Sequence, residues 1–234
     1  MELLVVISIL ALLIAMLQPS LQSARESARA AICRSNLRQV SIGSTVYADE
    51  TGFMPTGYNG VDIVWIPEIF KHAGGDTDLF YFPSAPAKAK MKDITFGSGL
   101  PGQWGYLPDQ VRIKTNEFFS YGHNNGGSAD GNRLGVGDAV SIGLNRASLV
   151  KSPTEFIMYG DSTVDGLWDH FIDEDVAYPG RNEYPADRHT GGAHIAFDDN
   201  HVEHIQQKYL IYSTPEGTQN PEWRRMWNND NLPH

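Results

Sequence analysis

The sequence predicts an α+β protein, with a long N-terminal α-helix followed by a head whose antiparallel β-sheet packs on that helix. Three observations predict it. Residues 3–17 are apolar apart from Ser8. From Ser20 to Gly52 the chain holds no proline, and small and apolar residues recur at helical spacing. From Phe53 onward the texture changes to short apolar runs with frequent aromatics, punctuated by Gly and Pro. The chain therefore divides into an apolar half-helix (1–20), an amphipathic half-helix (21–52) and a globular α+β head (53–234).

The apolar run Leu3–Leu17 has 15 residues, short of the roughly 17–25 that cross a bilayer as a helix. A secretory signal peptide needs a basic start, yet the first Lys or Arg is Arg25. A buried core helix is rarely apolar all round. A membrane anchor preceded by a few further apolar residues fits best, and a charge at its mouth, Glu2, implies a partner. Beyond Pro19, Leu21, Ala24, Ala28, Ala31/Ile32, Val40, Gly43 and Tyr47 recur at threes and fours. Arg25/Arg29 and Arg34/Arg38 stack on one flank, and Gly52 supplies a stop. One interrupted helix from Leu3 to about Glu50 would span ~70 Å, a rod suited to an assembly.

In the head, "VWIPEIFKHAGG" predicts a short helix after Pro67, closed by Gly74-Gly75. "EFFSYGHN", "EFIMYGDS" and "AHIAFDDNHVEHI" read as strands, and residues 122–138 as a long loop. Asp199-Asn200 suits a two-residue type I′ hairpin turn. That turn would place Asp198 opposite His201, Phe197 opposite Val202 and Ile195 opposite His204. Ile195, Phe197 and Val202 would form the core face, with His194, Asp198, His201 and Glu203 on the other. Asp198, His201 and Glu203 are weak metal candidates, because imidazole and carboxylate suit such ions. The competing reading is a solvated face whose Asp–His hydrogen bonds brace the turn.

Ser162 beside Asp161, with His189 and Asp199, could be imagined as nucleophile, base and orienter. No Gly-x-Ser-x-Gly elbow, His-Glu-x-x-His or phosphate loop accompanies them, so no enzymatic activity is expected. Residues 1–40 carry +2 of a chain total of −10, which leaves −12 for the remainder. An acidic head without a basic patch argues against nucleic acid. Cys33 is the single cysteine, so no internal disulfide forms and a small buried apolar role is expected.

Glu2, the leucine-rich run and Pro19 seventeen positions on resemble the N-terminal helix of type IV pilins and type II secretion pseudopilins. In that family a leader ending in Gly is removed before a Phe-Thr-Leu-x-Glu start, and the new N-terminal Phe is methylated. Glu2 matches the family glutamate and Pro19 the proline that bends the helix, so both are assembly residues by resemblance. The leader, its Gly and Phe-Thr-Leu are missing, which suggests a fragment or a start assigned to an internal Met. "RHTGGAHIAFDDNHV" resembles the H-x9-D-G head motif of many such proteins. His189 and Asp199 carry its spacing, and Arg188, Gly191, Gly192, Ala193, Phe197, His201 and Val202 match. His194 replaces the usual Asn, and Asn200 the Gly. "NLRQ", "SYGHN", "GDS" and the closing "WNNDNLPH" extend the resemblance over nearly the whole chain.

The resemblance implies a structural subunit of a pilus-like or pseudopilus assembly. It would be single-pass in the inner membrane, with its head in the periplasm or outside the cell. Residues 1–20 would be the transmembrane and assembly half. Partners would be other such subunits through the helix, a prepilin peptidase and a secretion assembly platform. Arg188, His189, Gly191, Gly192, Asp199 and His201 would be a structural motif. No cofactor is expected, although related pseudopilins often hold a structural calcium and residues 161–175 are rich in carboxylates. Many relatives carry a second Cys where this chain reads Phe82-Pro83-Ser84. The alternative is a membrane-anchored module that captures carbohydrate or another ligand through aromatics in "NGVDIVWIPE" or "PEWRRMW", without forming filaments.

Overall fold

Leu- and Ala-rich sequence from Glu2 to Thr51 folds as one α-helix, α1 (Glu2–Thr51), about 75 Å long at ~1.5 Å per residue. The computed structural model describes residues 2–57, 65–83, 95–96, 111–112, 119–124, 135, 146–163, 169, 171–173, 184–211 and 225–228. Pro19 lies inside α1. Its nitrogen carries no hydrogen, so the Ala15 carbonyl loses its helical donor, but the helix continues on both sides and the expected interruption is absent. The stop at Gly52 is present: its φ is +78° and its N–H donates to the Ala48 carbonyl at 2.8 Å.

Two environments divide α1. Apolar side chains from Leu3 to Leu17 are exposed, whereas from Cys33 onward every third or fourth residue is buried: Cys33, Leu37, Val40, Ser44, Tyr47. The stripe expected from Leu21 starts later, since Leu21 and Ile32 are exposed. Burial against the head begins at Cys33 and covers the last five or so turns of the rod, with Glu26 reaching His189 a little upstream.

Helix α2 (Trp65–Phe70) begins before Pro67, not after it as expected. A proline is tolerated in a first turn, where N–H groups lack helical acceptors anyway. Gly74 and Gly75 close it at φ +98° and +72°, with the Gly75 N–H donating to the Phe70 carbonyl at 2.9 Å. A 3-10 turn follows at Thr77–Phe80, capped by the Asp76 carboxylate.

The main sheet contains β3 (Tyr121–Asn124), β4 (Ile157–Asp161), β5 (Phe171–Ile172), β6 (Gly192–Phe197) and β7 (Val202–Gln206), in the order β5-β3-β4-β6-β7. A separate pair joins β1 (Thr95–Phe96) to β2 (Val111–Arg112). The sheet is mixed, not wholly antiparallel as expected, because β5 runs parallel to β3. After β4 the chain reverses direction but joins the sheet on the free edge of β3. A strand antiparallel to β4 is then parallel to β3.

Both sheet faces are covered. On one, Tyr121, Tyr159, Ala196 and Val202 meet Cys33, Leu37 and Val40 of α1 and Trp65, Ile66 and Ile69 of α2. On the other, Ile157, Ile172, Ala193, Ile195 and Phe197 pack with Trp227 and with Leu210 of α3 (Gln207–Leu210). Cover on both sides explains why all six residues of β6 are buried. Cys33 is free and buried among apolar side chains, as expected, and burial pushes its thiol up to about 12.

The β6–β7 hairpin differs from the expected two-residue turn. Ala196 pairs with Val202, Ile195 with Glu203 and His194 with His204, leaving Asp198, Asp199 and Asn200 as the loop. The Asn200 N–H donates to the Phe197 carbonyl and the Phe197 N–H to the His201 carbonyl, both at 3.0 Å. Asn200 has φ +71°, while Asp199 is not among the described residues with positive φ. This is a type I turn closed by a bulge, whereas type I′ needs two positive φ values. The one-residue change in register turns β7 over relative to β6. Val202 therefore joins Ala196 beneath α1, and His194, on the same face of β6 as Ala196, is buried because α1 covers that face.

Asn200 also explains its own departure from glycine. Its Oδ1 accepts from Ser41 Oγ at 2.8 Å and from Thr45 Oγ1 at 3.0 Å, tying the hairpin tip to α1. Asn200→Gly relieves a left-handed conformation that asparagine tolerates but removes two hydrogen bonds worth roughly 0.5–1.5 kcal/mol each. The expected outcome in thermal denaturation is a net loss of about 1 kcal/mol. A higher melting temperature in the variant would show that backbone relief outweighs the tether.

Candidate functional site

The rod presents the first candidate surface. Its large apolar side chains from Leu3 to Leu17 are 50–77% exposed, and none of its most apolar 18-residue window is buried. Ser8 Oγ donates to the Leu4 carbonyl at 2.7 Å, so the hydroxyl in this run is satisfied within the helix, as a lipid environment requires. This helix is long and apolar enough to cross a membrane. Pro19 is exposed on it. Glu2 opens the helix, and its side chain lies outside the described residues.

The second candidate is a buried polar cluster on the α1 side of the sheet. Asp161 ends β4, and His194 lies on the neighbouring strand β6. His189 comes from the turn before β6, where Thr190 (φ +55°) and Gly191 (φ +81°) reverse the chain and the His189 N–H donates to the Gly192 carbonyl at 3.0 Å. Gly192 allows close pairing with β7: a Cβ there would lie 2.4 Å from the Ile205 carbonyl oxygen. The two glycines of "HTGG" thus set the position of the histidine before them.

Asp161 Oδ2 accepts the His194 backbone N–H at 2.7 Å. The same oxygen is 3.4 Å from His189 Nε2 and 3.4 Å from His194 Nδ1, beyond the usual N–H···O distance. The two imidazole centroids are 4.3 Å apart. On its far side His189 Nδ1 is 3.7 Å from Glu26 Oε1 of α1. Asp161 Oδ1, both nitrogens of His189 and His194 Nδ1 are buried without a hydrogen-bond partner. Burial pushes His189 below its ordinary imidazole value, the neighbouring His194 and His204 adding to the effect and Asp161 and Glu26 opposing it. Arg188 sits beside the cluster, its Nη2 donating to the Ser162 carbonyl at 2.9 Å and its guanidinium 4.3 Å over the Phe82 ring.

The residues picked from the sequence are distributed differently from the expectation. His189 and Asp199 lie at opposite ends of β6, about 20 Å apart at ~3.3 Å per residue, so Asp161 stands beside His189 instead. Asp199 contacts His201 Nδ1 and accepts the His201 N–H at 3.1 Å. His201 Nε2 is 3.7 Å from Glu203, and its ring stacks on Phe197 at 4.3 Å. These partly exposed groups do not converge with Asp198, whose N–H donates to the Phe156 carbonyl; burial, then the Asp199 charge, push its carboxyl up to about 6. Trp65 and Trp227, offered as exposed ligand-binding aromatics, are fully buried in the two cores. Residues 164–168, 170 and 174–175 of the acidic stretch considered for calcium lie outside the described residues.

Residues 22–69 match the model of a family described as "Protein of unknown function (DUF1559)". The match covers the head-packed half of α1 and nearly all of α2, which share one core. No curated protein and no solved structure matches the chain. The family match and the exposed apolar helix are compatible with a membrane-anchored, pilin-like chain.

Proposed function

We propose that the chain is a structural subunit of a type IV pilus-like or type II secretion pseudopilus-like assembly. It is anchored by α1 in the inner membrane, with its head in the periplasm or outside the cell. One observation carries the reading: a single continuous helix is core for the head at one end and wholly uncovered over its apolar other end. Before assembly, lipid covers that end; in a filament, the helices of neighbouring copies replace lipid. Glu2 lacks a basic residue nearby in its own sequence, so its carboxylate would pair with the free terminal amine of a neighbouring processed subunit and set the axial register. A prepilin peptidase and an assembly platform are the partners this requires. The role is structural, with no catalytic step and no nucleic acid.

The test has two parts. The full chain should fractionate with membranes, and a chain beginning at Arg25 should be soluble and monomeric. Glu2→Ala, made in the full-length precursor and matched for expression, should insert normally while sheared filament or pseudopilus yield falls at least several-fold. A full chain in the soluble pool would remove the anchor. Wild-type assembly by the variant would remove the registering role. No assembly by the wild type alongside its partner machinery would remove the filament role.

A further inference from the structure

We infer that Asp161, His189 and His194 form a zinc site inside the head, with Glu26 of α1 as the outer partner of the ligating His189. The ligand atoms of the three residues lie within 4.8 Å of one another, and all three residues are buried. Two distances favour a metal over a hydrogen-bonded triad. Asp161 Oδ2 is 3.4 Å from each imidazole nitrogen facing it, whereas charge-assisted N–H···O bonds close to about 2.7–2.9 Å. A tetrahedral ion with bonds of about 2.0–2.1 Å separates its ligands by about 3.3–3.4 Å. An octahedral ion with bonds of the same length would need about 2.8–3.0 Å between adjacent ligands. Two nitrogens and one carboxylate suit zinc and disfavour calcium, which takes oxygen ligands.

The unsatisfied atoms point the same way. His189 Nε2 and His194 Nδ1, the two nitrogens that face Asp161 Oδ2, are buried without hydrogen-bond partners, in residues 4% exposed. Left bare, such groups forfeit their hydration with nothing in return. Ligation through His189 Nε2 leaves Nδ1–H facing Glu26 Oε1 at 3.7 Å, longer than a hydrogen bond. A small turn of the half-exposed Glu26 side chain would close it into the carboxylate–histidine arrangement that fixes a ligand's tautomer and orientation. Two guanidiniums among the described residues lie nearby, and both are engaged elsewhere: Arg188 by the Ser162 carbonyl and the Phe82 ring, and Arg29 by the other oxygen of Glu26 at 3.7 Å. The ion would join β4, the turn before β6 and β6 itself. Through Glu26 it would also brace α1 close to where the helix enters the head. With three protein ligands, the fourth position falls to water.

The experiment uses the full chain in detergent, without a histidine tag. Protein stripped with a chelator is loaded with zinc chloride, freed of excess metal and assayed for bound zinc and melting temperature. We expect one zinc per chain, a higher melting temperature that chelator reverses, and the intense visible absorption of tetrahedral cobalt(II) when cobalt replaces zinc. Asp161→Asn, which can still accept the His194 N–H, and His194→Gln should lose the metal. His201→Gln, at the other end of β6, should keep it. Glu26→Gln should keep the stoichiometry but bind about 10–100-fold more weakly. The site is overturned if the wild type retains no zinc and its melting temperature ignores zinc and chelator. It is overturned equally if Asp161→Asn and His194→Gln retain zinc like the wild type. Should those variants fail to fold, the wild-type cobalt spectrum decides, and a weak octahedral spectrum counts against the site.

Discussion

Gly122→Ala should unfold the head or destabilise it by about 3 kcal/mol or more, whereas Gly160→Ala should be much milder. The two glycines face each other across β3 and β4, and Ile172 of β5 lies against both positions. A Cβ on Gly122 would come 2.5 Å from the backbone carbon and oxygen of Phe171 and 2.8 Å from Ile172 Cγ2. Backbone held by the parallel β3–β5 pairing cannot withdraw without breaking that pairing. A Cβ on Gly160 would instead meet the far ends of flexible side chains, Ile195 Cδ1 at 2.6 Å and Ile172 Cδ1 at 3.0 Å, which can change rotamer. At roughly 2–4 °C per kcal/mol for a domain of this size, Gly122→Ala should lower the melting temperature by at least about 6 °C. Equal melting curves for the two variants would mean that β5 does not lie over Gly122.

The elements read correctly from sequence are those whose signal is local. Fifteen nearly unbroken apolar residues and a proline-free continuation make a helix before any tertiary contact is known, and Gly52 stops it through its own φ. "YGHN" and "IMYGD" form strands at the expected places. The errors arise where a distant element decides. The side chain of Asn200 reaches back to Ser41 and Thr45, and the turn adopted is the one that makes this tether. The direction of β5 follows from which sheet edge remained open.

The buried cluster was only partly legible for the same reason. His189 stood out through its motif, His194 as a substitution within it, and Asp161 in "GDS". Each lies in a separate stretch, and His194 does sit opposite Ile195 and Phe197 as expected, but α1 covers that face instead of solvent. Uniting them requires the pairing of β4 with β6, where Gly160 faces Ile195 and so brings Asp161 beside His194. Glu26, more than 160 residues earlier in the chain, reaches His189 only because α1 packs across the sheet. Local periodicity carries no information on such a contact.

Glu68 should make the head progressively less stable between about pH 4.5 and pH 8. It sits in the first turn of α2, 4% exposed, with Oε2 accepting the Thr56 N–H at 2.8 Å. Burial pushes its carboxyl from 4.5 up to about 8, although hydrogen bonds from Thr56 and Tyr47 pull it down. Across that window the folded head keeps a proton that the unfolded chain has released. Each unit of rising pH therefore drains up to about 1.4 kcal/mol, for a total on the order of 5 kcal/mol. Below pH 4.5 both states hold the proton and the cost vanishes. Glu68→Gln keeps an acceptor for Thr56 but cannot ionise. The variant should match the wild type near pH 4.5 and exceed it by several kcal/mol at pH 8, as read from urea denaturation at each pH. Comparing the two proteins cancels every other titrating group. Parallel stability curves across the window would show that Glu68 ionises alike in the folded and unfolded chain, and hence that α2 does not bury it against α1.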